Sequence, residues 1–208
     1  MIGFLKLLCR QMNYYMTDIR LLHTLFTLPF GVIAIILSWE QVALRINQVI
    51  LIFLTFFASR SYAMGWNRIC DRHFDRANPR TAQRMIPANK LSLSWAICFT
   101  SISGVLVVVF STLIQHDLWP YACVLLILFT GYSYMKRIHL LVHVYLGICL
   151  GLLPIAVTIA LGASLTPSIY LLALAITIWV TGFDILYALQ DKEFDHRTQL
   201  HSVPSRLG

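Results

Sequence analysis

Six stretches of the chain stay apolar for close to the 20 or so residues that a helix needs to cross the hydrocarbon of a bilayer. They run Leu21–Trp39, Gln48–Trp66, Ser92–Ile114, Leu118–Met135, Leu140–Leu161 and Ser168–Leu189, and polar residues collect between them. This pattern predicts an all-α integral membrane bundle of about six transmembrane helices. The segment before Leu21 carries Lys6, Arg10 and Arg20 but no apolar stretch long enough for a signal peptide. It is expected to be a partly amphipathic lead-in on the cytoplasmic side.

Composition agrees: 58% of the 208 residues are hydrophobic and 12% charged, against roughly 25% charged in a soluble domain. The formal charge of +7 reads as topology and not as a nucleic-acid surface. With the N-terminus cytoplasmic and each span reversing the chain, all of the sixteen basic residues except Arg45 and Arg60 fall inside, a strong positive-inside asymmetry. The expected placement is multi-pass, in a bacterial inner membrane, with the polar loops cytoplasmic.

The five cysteines are odd in number and scattered, which points to small apolar packers and away from a disulfide framework or zinc site. The seven histidines form no His-Glu zinc motif and are assigned to interfaces. No nucleophile elbow, glycine-rich phosphate loop or dinucleotide fingerprint occurs. Pro154, with Gly147, Gly151 and Gly162, is read as shaping and packing the fifth span.

Five of the nine acidic residues lie in the two inner loops after the second and sixth spans. Asp191 follows Asp71 by 120 residues and Asp195 follows Asp75 by the same interval, so one device is used twice. Four spans intervene, so both copies point the same way. The chain 1–208 is read as a single membrane domain with repeat-like halves 21–114 and 118–208, and a polar site between them.

On a helix continuing from the second span, Asn67, Asp71 and Asp75 recur every four residues and share one face. Magnesium takes one or two protein carboxylates and lets substrate phosphate oxygens complete its shell, so two such clusters suit a bridged diphosphate. A solvated loop of ion pairs is the competing reading for either cluster alone. Arg80 and Arg84 are spaced to share a face, and the planar guanidinium matches phosphate oxygens. Lys136 and Arg137 fit either a topological anchor or a substrate contact. Asp184, Tyr187, Asp191 and Asp195 form one helical stripe. A carboxylate within the sixth span has to face a polar cavity or a partner; Arg60, on the ligand-bearing face of span two, is the expected partner, or else holds the diphosphate.

These segments resemble the UbiA family of membrane prenyltransferases. The resemblance rests on NRICDRHFDRANPRTAQRMIP (Asn67–Pro87), DILYALQDKEFDHRTQLHSVP (Asp184–Pro204) and YSYMKR (Tyr132–Arg137). It implies a helical bundle around a central polar cavity, normally of nine spans, of which this chain covers about two-thirds. It implies a Mg2+-dependent enzyme that moves a polyprenyl group from polyprenyl diphosphate to an aromatic acid, with 4-hydroxybenzoate on the ubiquinone route closest in pattern. By resemblance Asp71, Asp75, Asp191 and Asp195 are catalytic and, with Asn67, hold the metal. Arg68, Arg80, Arg84 and Lys136 bind diphosphate, and Arg137, Asp184, Tyr187 and Arg60 face the acceptor.

The LHTLFTLPFG element (Leu22–Gly31) is also similar to enzymes that prenylate a hydroxynaphthoate for menaquinone. Where the family usually has Ser-Gly, this chain has Ala88-Asn89, which bears on local loop geometry. Two other readings stand beside these. One is a CDP-alcohol phosphotransferase, whose Asp-Gly and Ala-Arg elements are missing here. The other is a truncated subunit that binds prenyl lipid or assembles with partners without turnover.

Overall fold

Residues 2–207 are described in a computed structural model, and they form helices and no strands. The side chains of Leu22 and His23, at the start of the Leu22–Gly31 element, lie outside the described residues. The order is α1 (Ile2–Asp18), α2 (Leu28–Trp39), α3 (Ile46–Ala77), α4 (Leu93–Ile114), α5 (Trp119–Ile138), α6 (Val142–Leu161), α7 (Pro167–Ala188), α8 (Lys192–Arg197) and α9 (Val203–Leu207). Among the described residues, five helical segments are long and apolar enough to cross a membrane: those built on α3, α4, α5, α6 and α7.

The first predicted span departs from expectation. It breaks into a 3-10 turn, Leu21–Phe26, and the 12-residue α2, about 18 Å long and short of the roughly 30 Å hydrocarbon. Pro29 is the reason. It has no N–H to donate and sits without cost in a first turn, so a helix starts at Leu28. The Thr27 hydroxyl donates to the Thr24 carbonyl at 3.1 Å and closes the preceding turn.

The 32 residues of α3 span about 48 Å, more than the hydrocarbon needs. Neither Pro nor a helix-ending Gly interrupts the polar stretch after Trp66, so the helix continues and carries Asn67, Asp71 and Asp75 past the apolar section. It stops at Asn78, whose extended backbone (φ −89°, ψ 117°) is the conformation that Pro79 imposes on its predecessor.

Small residues set the close helix contacts. At Gly147 and Gly151 of α6 a Cβ would collide with the hydroxyls of Thr181 and Thr177 and with α7 carbonyls, so these glycines let the two backbones approach. Gly162, at φ 74°, ends α6 in the left-handed conformation. The α6 helix continues through Pro154. Cys149 is buried as expected of a packer, whereas Cys9 and Cys98 are exposed.

The lead-in is α1. Its Tyr15 and Ile19 pack with Ile69 of α3, Phe99 of α4 and Ile86 and Leu91 between them, and the Tyr15 hydroxyl donates to the Ser61 carbonyl at 2.9 Å. Gln11 brackets the loop after α3: its Nε2 donates to the Lys90 carbonyl and its Oε1 accepts from Ser92 N–H. Asp18 Oδ1 accepts from Met85 N–H at 2.8 Å. Asn89 in that loop is left-handed, with φ 57°. Asparagine reaches this region more easily than most other residues with a Cβ.

Candidate active site

Both aspartate clusters lie at one end of the bundle, and each of the four carboxylates meets its own cation. Arg137 Nη2 is 3.2 Å from Asp71 Oδ1. Arg84 Nη1 donates to both Asp75 oxygens, at 2.6 and 2.7 Å. Arg80 grips Asp191 with two nitrogens, Nε to Oδ1 at 2.8 Å and Nη2 to Oδ2. Lys136 Nζ is 2.8 Å from Asp195 Oδ1. The two clusters thereby become one site, because Asn78 and Arg80 follow the first motif yet bond an aspartate of the second.

The predicted α3 face exists: Asn67 Nδ2 donates to Asp71 Oδ2 at 3.0 Å, one turn on. The expectation that Arg80 and Arg84 share a helical face fails. Pro79 turns the chain, Asn78 Oδ1 accepts from Arg80 N–H in the turn, and the two arginines part, to Asp191 and Asp75. The stripe from Asp184 to Asp195 is also interrupted. A 3-10 turn, Leu189–Asp191, separates α7 from α8, and its tighter winding shifts the side chains that follow. Tyr187 stays with the site, its hydroxyl accepting from Arg80 Nη1 at 3.1 Å and its ring under the guanidinium.

Arg68 is buried behind the cluster, donating to the Asp18 carbonyl and to Asn67 Oδ1. Arg137 donates to the Cys70 carbonyl and lies over the rings of Phe74 and Tyr134. The expected Arg60–Asp184 pair is replaced by another. Asp184 Oδ2 is 2.7 Å from Nδ1 of His143, a buried histidine and not an interfacial one. Sequence reasoning passed over His143 because its partner lies 41 residues away; the signal available was the polar Asp184 in an apolar span, which demands some partner.

Arg60 makes none of the ion pairs among the described residues, and its Nε is buried without a hydrogen-bond partner. It lines a cavity of about 330 Å³ walled by α3, α4, α5 and α6, mostly apolar, with Ser59 and Tyr132 beside it. Asp71 is eleven residues beyond Arg60, roughly 16 Å along the helix.

The donor set fits a hard divalent cation only in one form. Among the described residues no three acidic, histidine or cysteine side chains converge to hold an ion alone. Each cluster offers two carboxylates, and Asp195, fully buried, has neither oxygen in a directed hydrogen bond although Lys136 supplies charge at ion-pair distance. Unsatisfied buried carboxylate oxygens are costly without a cation. The arrangement suits Mg2+ whose remaining ligands come with a phosphate.

The chain is similar to several known proteins. Residues 27–208 match the UbiA prenyltransferase family. A 4-hydroxybenzoate octaprenyltransferase of Tolumonas auensis is 31% identical over 157 residues, covering 73% of this chain and 53% of that protein. One from Edwardsiella ictaluri is 33% identical over 144 residues, covering 68% and 50%. The chain thus spans about half the length of the curated relatives it matches. Among solved structures, the apo UbiA homolog of Aeropyrum pernix K1 superposes with a TM-score of 0.82 at 30% identity, covering 89% of this chain and 70% of that one. A UbiA homolog from Archaeoglobus fulgidus bound to DMAPP and Mg2+ shares the fold, with a TM-score of 0.75 at 19% identity over 92% of this chain and 70% of that one. The match over most of the chain identifies this multi-pass helical membrane protein as a member of the UbiA prenyltransferase family.

Proposed function

We propose that this chain transfers a polyprenyl group from polyprenyl diphosphate to 4-hydroxybenzoate, with Mg2+. The observation that carries the reading is the cluster of four carboxylates, each matched by a cation, next to a mostly apolar cavity with one unpaired arginine. The names of the relatives favour this acceptor over a hydroxynaphthoate, and the ligands of the Archaeoglobus fulgidus homolog favour an allylic diphosphate with Mg2+. The placement of the basic residues supports a cytoplasmic site in a bacterial inner membrane, and the repeated aspartate motif supports two related halves.

Asp71, Asp75, Asp191 and Asp195, with Asn67, would hold Mg2+, which would supply Lewis-acid stabilisation to the leaving diphosphate. Arg80, Arg84 and Lys136 exchange their carboxylates for phosphate oxygens, and Arg68 adds positive charge from behind. The bond between the allylic carbon and the diphosphate oxygen breaks, its electron pair leaving with the diphosphate. The ring carbon ortho to the acceptor's hydroxyl forms the new bond and then loses its proton to the released diphosphate. Arg60, at the cavity without an ion-pair partner, receives the acceptor's carboxylate, and Asp184 faces its hydroxyl. The apolar walls keep water from the allylic cation.

The test is prenylation of 4-hydroxybenzoate and of a dihydroxynaphthoate by membranes carrying the protein, with Mg2+ or EDTA, read by product mass. Mg2+-dependent prenyl-4-hydroxybenzoate is expected. Product with the naphthoate alone would reassign the acceptor, and release of cytidine monophosphate from a CDP-alcohol would replace the reaction class.

A further inference from the structure

Asp184 is the only acidic residue in the sixth apolar stretch, and His143, at the start of α6, is its partner. His143 Nδ1 is 2.7 Å from Asp184 Oδ2; the imidazole is 3% exposed and the carboxylate 22%. The second ring nitrogen is also engaged, since Nε2 accepts from Val203 N–H at 3.2 Å. A nitrogen that accepts a hydrogen bond carries no proton, so the ring is neutral with its proton on Nδ1, donated to Asp184. The contact is a hydrogen bond to a carboxylate and not an ion pair. No nitrogen is left to take a proton from a substrate, so His143 is not a general base in this arrangement.

We infer that His143 is a positioning residue that aims the Asp184 carboxylate and docks the segment following the second aspartate cluster. With Oδ2 fixed by Nδ1–H, Asp184 keeps Oδ1, which makes no hydrogen bond among the described residues, for an incoming hydroxyl. The docked segment begins at the cluster itself. Leu200 N–H donates to the Asp195 carbonyl at 2.9 Å and His201 N–H to the Lys136 carbonyl at 2.7 Å; Val203 then reaches His143. Ser202 and Ser205 close the turn, each hydroxyl accepting from the other's N–H, and both are buried. Lys136 also neutralises Asp195. One imidazole therefore joins the carboxylate facing the acceptor to the floor under Asp195. The aiming half rests on the reading above, in which Asp184 faces the acceptor's hydroxyl.

Three substitutions separate the two tasks. His143→Asn keeps a donor at the reach of Nδ1, His143→Gln keeps an acceptor at the reach of Nε2, and His143→Phe keeps the ring shape and neither. The measurements are hydrogen exchange of residues 198–207 in the reconstituted protein, and the KM values for acid and for prenyl diphosphate. For His143→Phe, faster exchange is expected, with an acceptor KM raised about ten-fold and a prenyl diphosphate KM within about two-fold of the parent. His143→Asn is expected to rescue the acceptor KM but not the exchange, and His143→Gln the reverse. Unchanged exchange in His143→Phe overturns the docking, and an unchanged acceptor KM overturns the aiming. A parent protein that prenylates no acid overturns the reading of the previous section together with the aiming, and exchange still decides the docking.

Discussion

Asn78 and Asp191 are 113 residues apart in the chain, yet Nδ2 of the first donates to Oδ1 of the second at 2.8 Å. With Arg80 on the same carboxylate, this contact ties the loop after the first motif to the second motif. Charge-assisted hydrogen bonds of this kind contribute about 1.5–3 kcal/mol. Lysine cannot reproduce the two-nitrogen grip. Arg80→Lys is expected to weaken prenyl diphosphate binding by roughly 10- to 100-fold, measured by titration in detergent or nanodiscs; affinity equal to the parent's would show that the fork is dispensable.

Asp195 is fully buried against Lys136. Asp195→Ala leaves the lysine without its partner and removes a proposed metal ligand, so turnover is expected to be lost while membrane insertion is retained. Asp71→Ala is expected to behave alike. Product formation at the parent's rate by either variant would refute their catalytic assignment.

Removing the unpaired cation at the end of the cavity has a different signature. Arg60→Met is expected to raise the KM for 4-hydroxybenzoate by about ten-fold or more and to leave that for prenyl diphosphate unchanged. A parallel loss for both substrates would place Arg60 with the diphosphate.

Asp18 provides a pH test outside the spans. Burial pushes its carboxyl above the ordinary range, against the Met85 N–H and the charges of Arg68 and Arg84. The folded state holds this proton more tightly than the unfolded chain does. The group's contribution to stability is thus full below the ordinary carboxyl value of about 3.9 and is lost as pH rises through the raised folded value. Asp18→Asn is expected to gain in melting temperature relative to the parent as pH rises across that window. Curves that stay parallel would count against the buried carboxyl as the cause.

Asn89 tests the loop. At φ 57°, Asn89→Ala is expected to cost about 1 kcal/mol, visible as a lower melting temperature, whereas Asn89→Gly should change it by less. Equal effects of the two would mean that backbone conformation is not what the position requires.

What the sequence revealed and what it hid follow from range. Apolar runs and the four-residue spacing of Asn67, Asp71 and Asp75 are local, and helices obey them directly. Pro29 and Pro79 are equally local and break that regularity: the first shortens a span and the second sends Arg80 and Arg84 to different aspartates. The pairing of Asp184 with His143 in place of Arg60 was hidden for another reason. It depends on how closely Gly147 and Gly151 let α6 meet α7, which no spacing along the chain expresses.

Four cations that already face four carboxylates have little residual pull on an anionic headgroup. Phospholipid headgroups offer oxygens to the arginines but nothing to the aspartates those arginines would abandon, so each such exchange strands a buried charge. Only a ligand arriving with its own divalent ions leaves every group as well matched as before. In the reading proposed here, discrimination at the membrane surface is thus a matter of ion exchange: the resting salt bridges act as a counter-ion filter that keeps an open, phosphate-seeking site from filling with lipid.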